Sequence, residues 1–298
     1  MSGPPRTSFV HGWSAHRGAP GKRAKTVRRL QDLAVVGTTL CVLAWFVFPW
    51  VWMLLSSITP ERDLFSGTFR LIGGFTFEHY AGLVGAGFPR YFLNSIVVST
   101  AAVGGSMVLA VLAAYGFSRF NFRGNESLLG FVAFTQMFPW IILVTPVYVL
   151  FWRLHLVNTY TGLIIAYVAI TTPFCVFMLL GYLASIPREL DDAAAIDGCS
   201  TWKIIWRVIV PVAAPGIAGT ATYAFAQAWS EFVFALTLMT HSELRTVQVG
   251  LASFFGEYTT EWGRVMAASS AATLPTVIFF LLVQKHLVSG LTAGALKE

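Results

Sequence analysis

The sequence predicts an all-α membrane protein with six transmembrane helices, and three observations carry that prediction. Charged residues make up 11% of the 298 positions, against about 25% in an ordinary soluble domain. Hydrophobic residues reach 56% and the mean hydropathy is +0.67. Six runs free of Lys, Arg, Asp and Glu follow one another: Leu33–Ile58, Tyr91–Ser118, Ser127–Trp152, Leu156–Ile186, Val208–Ser230 and Val265–Gln284. Each is about 20 residues or longer, enough to cross the hydrocarbon as a helix. None alternates apolar and polar residues as a barrel strand must, and a helix satisfies its own backbone in lipid.

Residues 1–32 form a basic, polar segment rich in Gly, Pro and Ser, and are expected to be flexible and cytoplasmic. The first apolar run is too long for a signal peptide core and contains Trp45, Trp50 and Trp52, so it is read as an uncleaved span. The six expected spans are about 33–58, 91–118, 127–152, 156–186, 208–238 and 265–285, within a transmembrane domain of 33–292. A cytoplasmic tail of 293–298 ends the chain. Orientation follows from Lys and Arg, which concentrate on the cytoplasmic side of a membrane. With six spans, one side holds Arg6, Arg17, Lys22, Arg23, Lys25, Arg28, Arg29, Arg119, Arg123, Arg188, Lys203, Arg207, Lys285 and Lys297. The other holds only Arg62, Arg70, Arg90, Arg153, Arg245 and Arg264. Both termini and the polar loop 187–207 are therefore expected in the cytoplasm. The net charge of +6 belongs to this inner face near anionic lipid, with no nucleic-acid partner implied.

Between the spans, residues 59–90 read as irregular outer structure, with a short interfacial helix over Phe75–Tyr80. The second span carries Gly104, Gly105, Ala113, Ala114 and Gly116, small residues that let helices approach closely. Asn94, near its outer end, fits an interhelical hydrogen bond or a place on a substrate path. In the third span Pro139 and Pro146, flanked by Gln136 and Thr145, predict kinks that shape either packing or a cavity. Thr171, Thr172 and Pro173 pose the same alternatives in the fourth, and Pro215 and Gly216 in the fifth. Glu231 interrupts an apolar stretch between Trp229 and Phe232. It reads either as an intramembrane functional acid or as a solvated residue at the outer interface, with Trp229 as an interfacial anchor. Asn94, Gln136 and Glu231 are the candidate substrate-path residues. Residues 239–263, with Glu243, Glu257, Tyr258, Glu261 and Trp262, read as an exposed polar outer loop.

The loop PRELDDAAAIDGCSTWKIIWRVIVP, from Pro187 to Pro211, departs most from this apolar background. Pro187 suits a first helical turn, and Glu189, Asp191 and Asp192 favour the positive helix end. Ala193, Ala194 and Ala195 promote helix, and Gly198 can end it. Ser200 or Thr201 can cap a second helix carrying Trp202, Ile205 and Trp206, and Pro211 marks re-entry into apolar sequence. The plain alternative is an ordinary loop made of short amphipathic helices.

Asp192-Ala193-Ala194, then Asp197-Gly198, then nine residues to Val208-Ile209-Val210-Pro211, resembles the EAA loop. That loop marks permease subunits of binding-protein-dependent ATP-binding-cassette importers. The family pattern is Glu-Ala-Ala, three residues, Gly, nine residues, Ile-x-Leu-Pro; here Asp192 replaces Glu and the ending is Val-x-Val-Pro. The segment Ala228-Trp229-Ser230-Glu231-Phe232 resembles the fifth span of sugar permeases, where Asn more often precedes the acid. The end of the chain, with Gly290, Thr292 and Gly294, is similar to that of MalG-like subunits, the carbohydrate branch. The resemblance implies a type I importer permease fold and a role in sugar import. It also implies ATPase contact through Glu189, Asp192, Ala193, Ala194, Ala195, Asp197, Gly198, Ile209 and Pro211, and through Gly290, Thr292 and Gly294 in the tail. Implied partners are a second, MalF-like permease chain, two ATPase subunits, an extracytoplasmic solute-binding protein that meets residues 239–263, the sugar and membrane lipid. ATP and Mg would be used by the partner ATPases, and this chain would bind no cofactor. A glycerol-phosphate or polyol permease is the near alternative.

The residues point away from catalysis in this chain. Gly21-Lys22-Arg23 lacks the upstream glycine and the Ser or Thr of a phosphate loop. The histidines form no H-E-x-x-H pattern, no metal site is read, and no G-x-S-x-G elbow is present. An ion-coupled secondary transporter would need intramembrane charge, for which Glu231 is the acidic candidate.

Overall fold

Helices account for nearly all of the described chain. The structure is a computed structural model that describes residues 22–65, 74–256 and 260–295, with side chains described over 31–65, 74–256 and 260–284. It divides into two compact units, residues 1–52 and 53–298. In the first unit the described part is helix α1 (Lys22–Ser57), which runs on into the second and whose Gln31–Ser57 stretch is apolar enough to span. Pro49 lies inside α1 without ending it.

The second unit opens with α2 (Glu61–Leu64) and α3 (Glu78–Gly85). The short helix expected over Phe75–Tyr80 therefore starts later and runs further, with Thr76 Oγ1 accepting from the Glu78 N–H (3.2 Å). Helix α4 (Phe88–Arg119) follows, then α5 (Asn125–Thr135), α6 (Trp140–Arg153) and α7 (Tyr160–Ala184). The polar loop forms α8 (Glu189–Ile196) and α9 (Thr201–Ile204), a wider π turn over Ile205–Ile209, and α10 (Val210–Val212). Helices α11 (Ala214–Ser230), α12 (Val233–Leu238), α13 (Val247–Ala252) and α14 (Trp262–Ala295) complete the unit.

Helix α4 packs against α7, and small residues explain why the two come so close. Ala102, Ser106, Ala110 and Ala114 line one buried stripe of α4, at the helical spacing of three to four. A Cβ added at Gly105 would stand 3.0 Å from Val168 of α7. Ser106 Oγ and Thr171 Oγ1 share a buried hydrogen bond of 2.6 Å. In lipid, contacts of this kind contribute about 0.6 to 2 kcal/mol, and close packing supplies the rest of the helix association. Trp229 of α11 donates through Nε1 to Ala272 O of α14 (2.9 Å) and is buried, so it points into the protein and is not an interfacial anchor.

Among the described residues four helices are long and apolar enough to cross a membrane, and two bent pairs raise the number to as many as six. The expected third span, 127–152, is broken: α5 and α6 meet at 95°. The break falls at Pro139, which sits in extended conformation (ψ 120°), whereas Pro146 continues inside α6. The expected fourth span starts at Tyr160 instead of 156. The residues before it are held in a turn, with His155 and Asn158 both at φ 57°, and Thr159 Oγ1 accepts the Gly162 N–H (3.0 Å).

The expected fifth span, 208–238, is three pieces. The α9–α10 segment bends by 82° into α11, with Pro215 in the first turn of α11. Pro211 thus lies inside the second loop helix, and the turn comes at the buried Ala213. At the other end α11 stops at Glu231, whose extended backbone (φ −67°, ψ 131°) separates it from α12.

Residues 239–263 are not an exposed loop. Thr246, Val247 and Val249 are buried, and the segment folds back onto α4. Asn94 Nδ2 donates to Glu243 O and Arg245 O (2.9 Å each), and Ser95 Oγ accepts the Val247 N–H (2.7 Å). Glu243 and Glu261 stay exposed, while Glu257 and Tyr258 lie outside the described residues.

Candidate functional site

Helix α8 starts with Glu189, Asp191 and Asp192 in its first turn, where carboxylates offset the positive helix end. Pro187 precedes the helix, and Arg188 takes the N-cap position in its place. At the C-terminal end the Cys199 N–H donates to Ala194 O and the Gly198 N–H to Ala195 O, both at 3.0 Å. This pair of bonds is a Schellman motif, and it needs a residue at positive φ. Gly198 fills that position at φ 78°. Ser200 then adopts the extended N-cap conformation of α9, but its hydroxyl makes no capping bond.

The two-helix loop has an inner and an outer face. Ala194, Ile204, Ile205 and Ile209 are buried in the main apolar cluster with α4 and α7. Glu189, Asp192, Ala193, Ala195, Asp197, Gly198 and Pro211 are exposed. So are the large apolar side chains Leu190, Ile196 and Trp202, the last two at 86% and 60%. Ile196 and Trp202 thus leave large apolar side chains uncovered on an otherwise acidic, Ala-rich hairpin.

A polar cluster that the sequence reading did not assemble fastens this hairpin to the spans. Arg119 Nε, at the end of α4, pairs with Asp191 Oδ2 at 3.0 Å, with side-chain exposures of 7% and 13%. Tyr115 Oη, one helical turn earlier, donates to Asp191 Oδ1 (2.8 Å). The same guanidinium donates to Leu183 O (3.4 Å) and Ile186 O (3.1 Å) at the end of α7. Arg188 donates to Ser118 O (2.7 Å). In the sequence Asp191 was only a helix-end acid and Arg119 only a topology charge. Tyr115 and Arg119, spaced four apart on one helix face, were the available signal.

The second feature is a cavity of about 390 Å³ bordered by α6, α7, α11 and α12. Trp140 and Tyr167 supply aromatic surface, and Thr171, Gln227, Ser230 and Glu231 supply polar atoms. Glu231 holds its place by capping α12: Oε1 accepts the Phe234 N–H (2.8 Å) and Oε2 the Ala235 N–H (3.0 Å). Its carboxylate is a helix cap and a cavity wall at once, which neither sequence alternative described.

Of the three candidate path residues, only Glu231 borders the cavity. Asn94 is buried in the clamp on residues 243–245 and accepts a further bond from Tyr160 Oη of α7 (2.7 Å), the interhelical hydrogen bond that its sequence position allowed. Gln136 lies at the α5–α6 break. Gln227, one turn before Ser230 and Glu231, was missed, although its spacing put it on their face of α11. Gly290, Thr292 and Gly294 fall on the last turns of α14, beyond the described side chains. The tail expected at 293–298 is thus helical as far as Ala295, and its end lies outside the described residues. Among the described residues no group of His, Cys, Asp and Glu could hold a metal ion.

The comparisons match this geometry. Residues 106–292 match the family described as binding-protein-dependent transport system inner membrane component. The trehalose/maltose transport system permease protein MalG of Thermococcus litoralis is 39% identical over 279 residues, 92% of this chain and 99% of that protein. The diacetylchitobiose uptake system permease protein DasC of Streptomyces coelicolor is 33% identical, over 87% of this chain and 95% of that protein. A chain of a bacterial ABC transporter that imports the acidic polysaccharide alginate superposes with a TM-score of 0.73. It covers 90% of this chain and 99% of its own length at 21% identity, a likeness of fold. In this family the chain is the multi-pass transport subunit of the prokaryotic inner membrane, and ATP hydrolysis resides in separate subunits. The chain therefore belongs to the inner-membrane permease components of binding-protein-dependent ABC importers.

Proposed function

We propose that this chain forms one half of the membrane pathway of an ATP-driven importer that carries a sugar into the cytoplasm. The observation that carries the reading is the α8–α9 hairpin, with its Gly198 turn and exposed Ile196 and Trp202, in a chain of this family. The hairpin would sit in a cleft of a partner ATPase, and ATP-driven closure of two such ATPases would swing the attached spans. Both termini would lie in the cytoplasm, with the bent pairs α5–α6 and α9–α11 completing six crossings. A second, homologous permease would supply the facing half, and a solute-binding protein would deliver substrate from outside. The end of α14, including Gly290, Thr292 and Gly294, would reach the ATPase pair. ATP and Mg would act in those partners, with no cofactor in this chain.

A sugar is favoured by two lines of support. Relatives at 39% and 33% identity are permeases of trehalose/maltose and diacetylchitobiose systems. The cavity also combines the aromatic faces of Trp140 and Tyr167 with the amide of Gln227 and the hydroxyls of Ser230 and Thr171. Sugar rings offer apolar C–H faces to aromatics and hydroxyls to polar groups, so that mixture suits them. The Glu231 carboxylate on the wall disfavours an anionic cargo such as a glycerol phosphate.

The test is uptake of radiolabelled disaccharides by proteoliposomes holding the complete complex, with ATP inside. Uptake should continue when a protonophore collapses the proton gradient and stop when the partner ATPase site is inactivated. Uptake that follows the proton gradient and ignores ATP would make the chain part of a secondary transporter.

A further inference from the structure

We infer that Arg119 is a positioning residue for coupling, and that its buried pair with Asp191 locks α8 to the ends of α4 and α7 so that the three move as one body. This rests on the reading that α8 receives the push of a partner ATPase.

The geometry distinguishes a lock from ordinary loop packing. One guanidinium reaches three segments: its own helix α4, the Asp191 carboxylate of α8 at 3.0 Å, and the Leu183 and Ile186 carbonyls that end α7. Leu183 O already accepts the Ile186 N–H (3.1 Å) in the closing turn of α7, and the guanidinium adds a second donor there and one at Ile186 O, two bonds that a planar multi-donor cation can make together and a lysine cannot. Tyr115 takes the other oxygen of Asp191 at 2.8 Å, which leaves the carboxylate held at both ends. The pair is almost fully shielded, at 7% and 13% exposure, so water screens it little. The remaining inner contacts of the hairpin are apolar: Ala194, Ile204, Ile205 and Ile209. Apolar contacts resist separation but set no direction, and they allow sliding. The hydrogen bonds from Tyr115 to Asp191 and from Arg119 to Leu183 and Ile186 are directional and fix the register, while Arg119 Nε and Asp191 Oδ2 attract as an ion pair without hydrogen-bond alignment. A force applied at exposed Ile196 or Trp202 is then passed to α4 and α7 and does not merely bend the loop.

Two measurements on the complete complex test this. The first is functional. Breaking a buried pair on one side leaves an uncompensated charge, so Asp191→Leu is made together with Arg119→Met, which removes both charges and keeps volume. The lock predicts that the assembled double variant transports roughly tenfold less substrate per ATP hydrolysed, and that Arg119→Lys, which keeps charge but loses the fork, falls between. Equal transport per ATP in the double variant overturns the lock.

The second measurement needs no disruptive variant. Spin labels at Ala193→Cys and Ser118→Cys, with Cys41 and Cys199 changed to Ser, report the distance from α8 to the last turn of α4. The lock predicts a narrow distribution that shifts by less than about 2 Å between nucleotide-free and ATP-bound complexes, the scale of small helix adjustments. A larger shift overturns it. A disulfide crosslink from Ala193→Cys to the ATPase, run alongside, separates the two claims. Its presence with a large shift refutes the lock alone, whereas its absence removes the coupling reading on which the lock stands.

Discussion

Gly198 gives the sharpest test of the hairpin, because its environment isolates one physical cost. Its φ is 78°, and a Cβ added there would meet nothing within 4 Å inside the chain. Substitution therefore introduces no clash within this subunit, and the cost is conformational. A residue with a Cβ loses roughly 1–2 kcal/mol in the left-handed region, which is about a 5–30-fold change in the population of the turn. Asparagine tolerates that region better than other side chains, and a β-branched residue tolerates it worst. The expected order of coupled transport is Gly198, then Gly198→Asn, then Gly198→Ala, then Gly198→Val. Bulk against a partner groove adds to the Val defect. The assay is ATP-driven uptake, and binding-protein-stimulated ATP hydrolysis, by purified complexes of verified subunit ratio. An alanine variant equal to wild type, or an asparagine variant as poor as valine, would refute the claim that the left-handed turn is required. Normal assembly with normal uptake for Gly198→Val would remove this loop as the coupling element.

Other substitutions act elsewhere. At Gly162 a Cβ would collide with the Leu156 carbonyl oxygen, so Gly162→Ala should lower the yield of folded protein, measured by size-exclusion chromatography, while any surviving complex stays coupled. Glu231→Ala removes the cap of α12 and should cost about 0.5–2 kcal/mol, with a lower midpoint in thermal unfolding than Glu231→Gln, which keeps one acceptor. An unchanged midpoint for Glu231→Ala would show that the two backbone bonds are not stabilising. Deleting residues 294–298 should reduce binding-protein-stimulated ATP hydrolysis more than it reduces assembly, and unchanged stimulation in a fully assembled complex would contradict that.

The sequence made the helices legible where one local property dominated. Four of the six charge-free runs became long apolar helices, and the Ala-rich acidic stretch ending in Gly198 became α8 with its left-handed cap. The bends were less readable, because proline alone does not decide them. Pro146, Pro173 and Pro275 stay inside helices while Pro139 stands at a 95° break. Residues 239–263 misled by composition: their polar side chains suggested exposure, yet Val247 and Val249 are both buried and Asn94 bonds the backbone. Glu231 was visible as an unusual acid, but its partners are the N–H groups of a helix that it helps to start. The Asp191–Tyr115 contact joins residues 76 positions apart, and no linear pattern in one sequence announces such a pairing.

The central claim is that the α8–α9 hairpin faces the cytoplasm and meets an ATPase. It is tested most directly with a cysteine at Ala193, an exposed position on α8, in a background with Cys41 and Cys199 changed to Ser, which leaves the buried Cys175 as the only other thiol. The neighbouring Ala194 is buried and unsuitable. The account predicts that Ala193→Cys crosslinks to a co-expressed ATPase subunit and resists a membrane-impermeant thiol reagent applied to intact cells. Labelling of that cysteine from outside, with no crosslink formed, would contradict it.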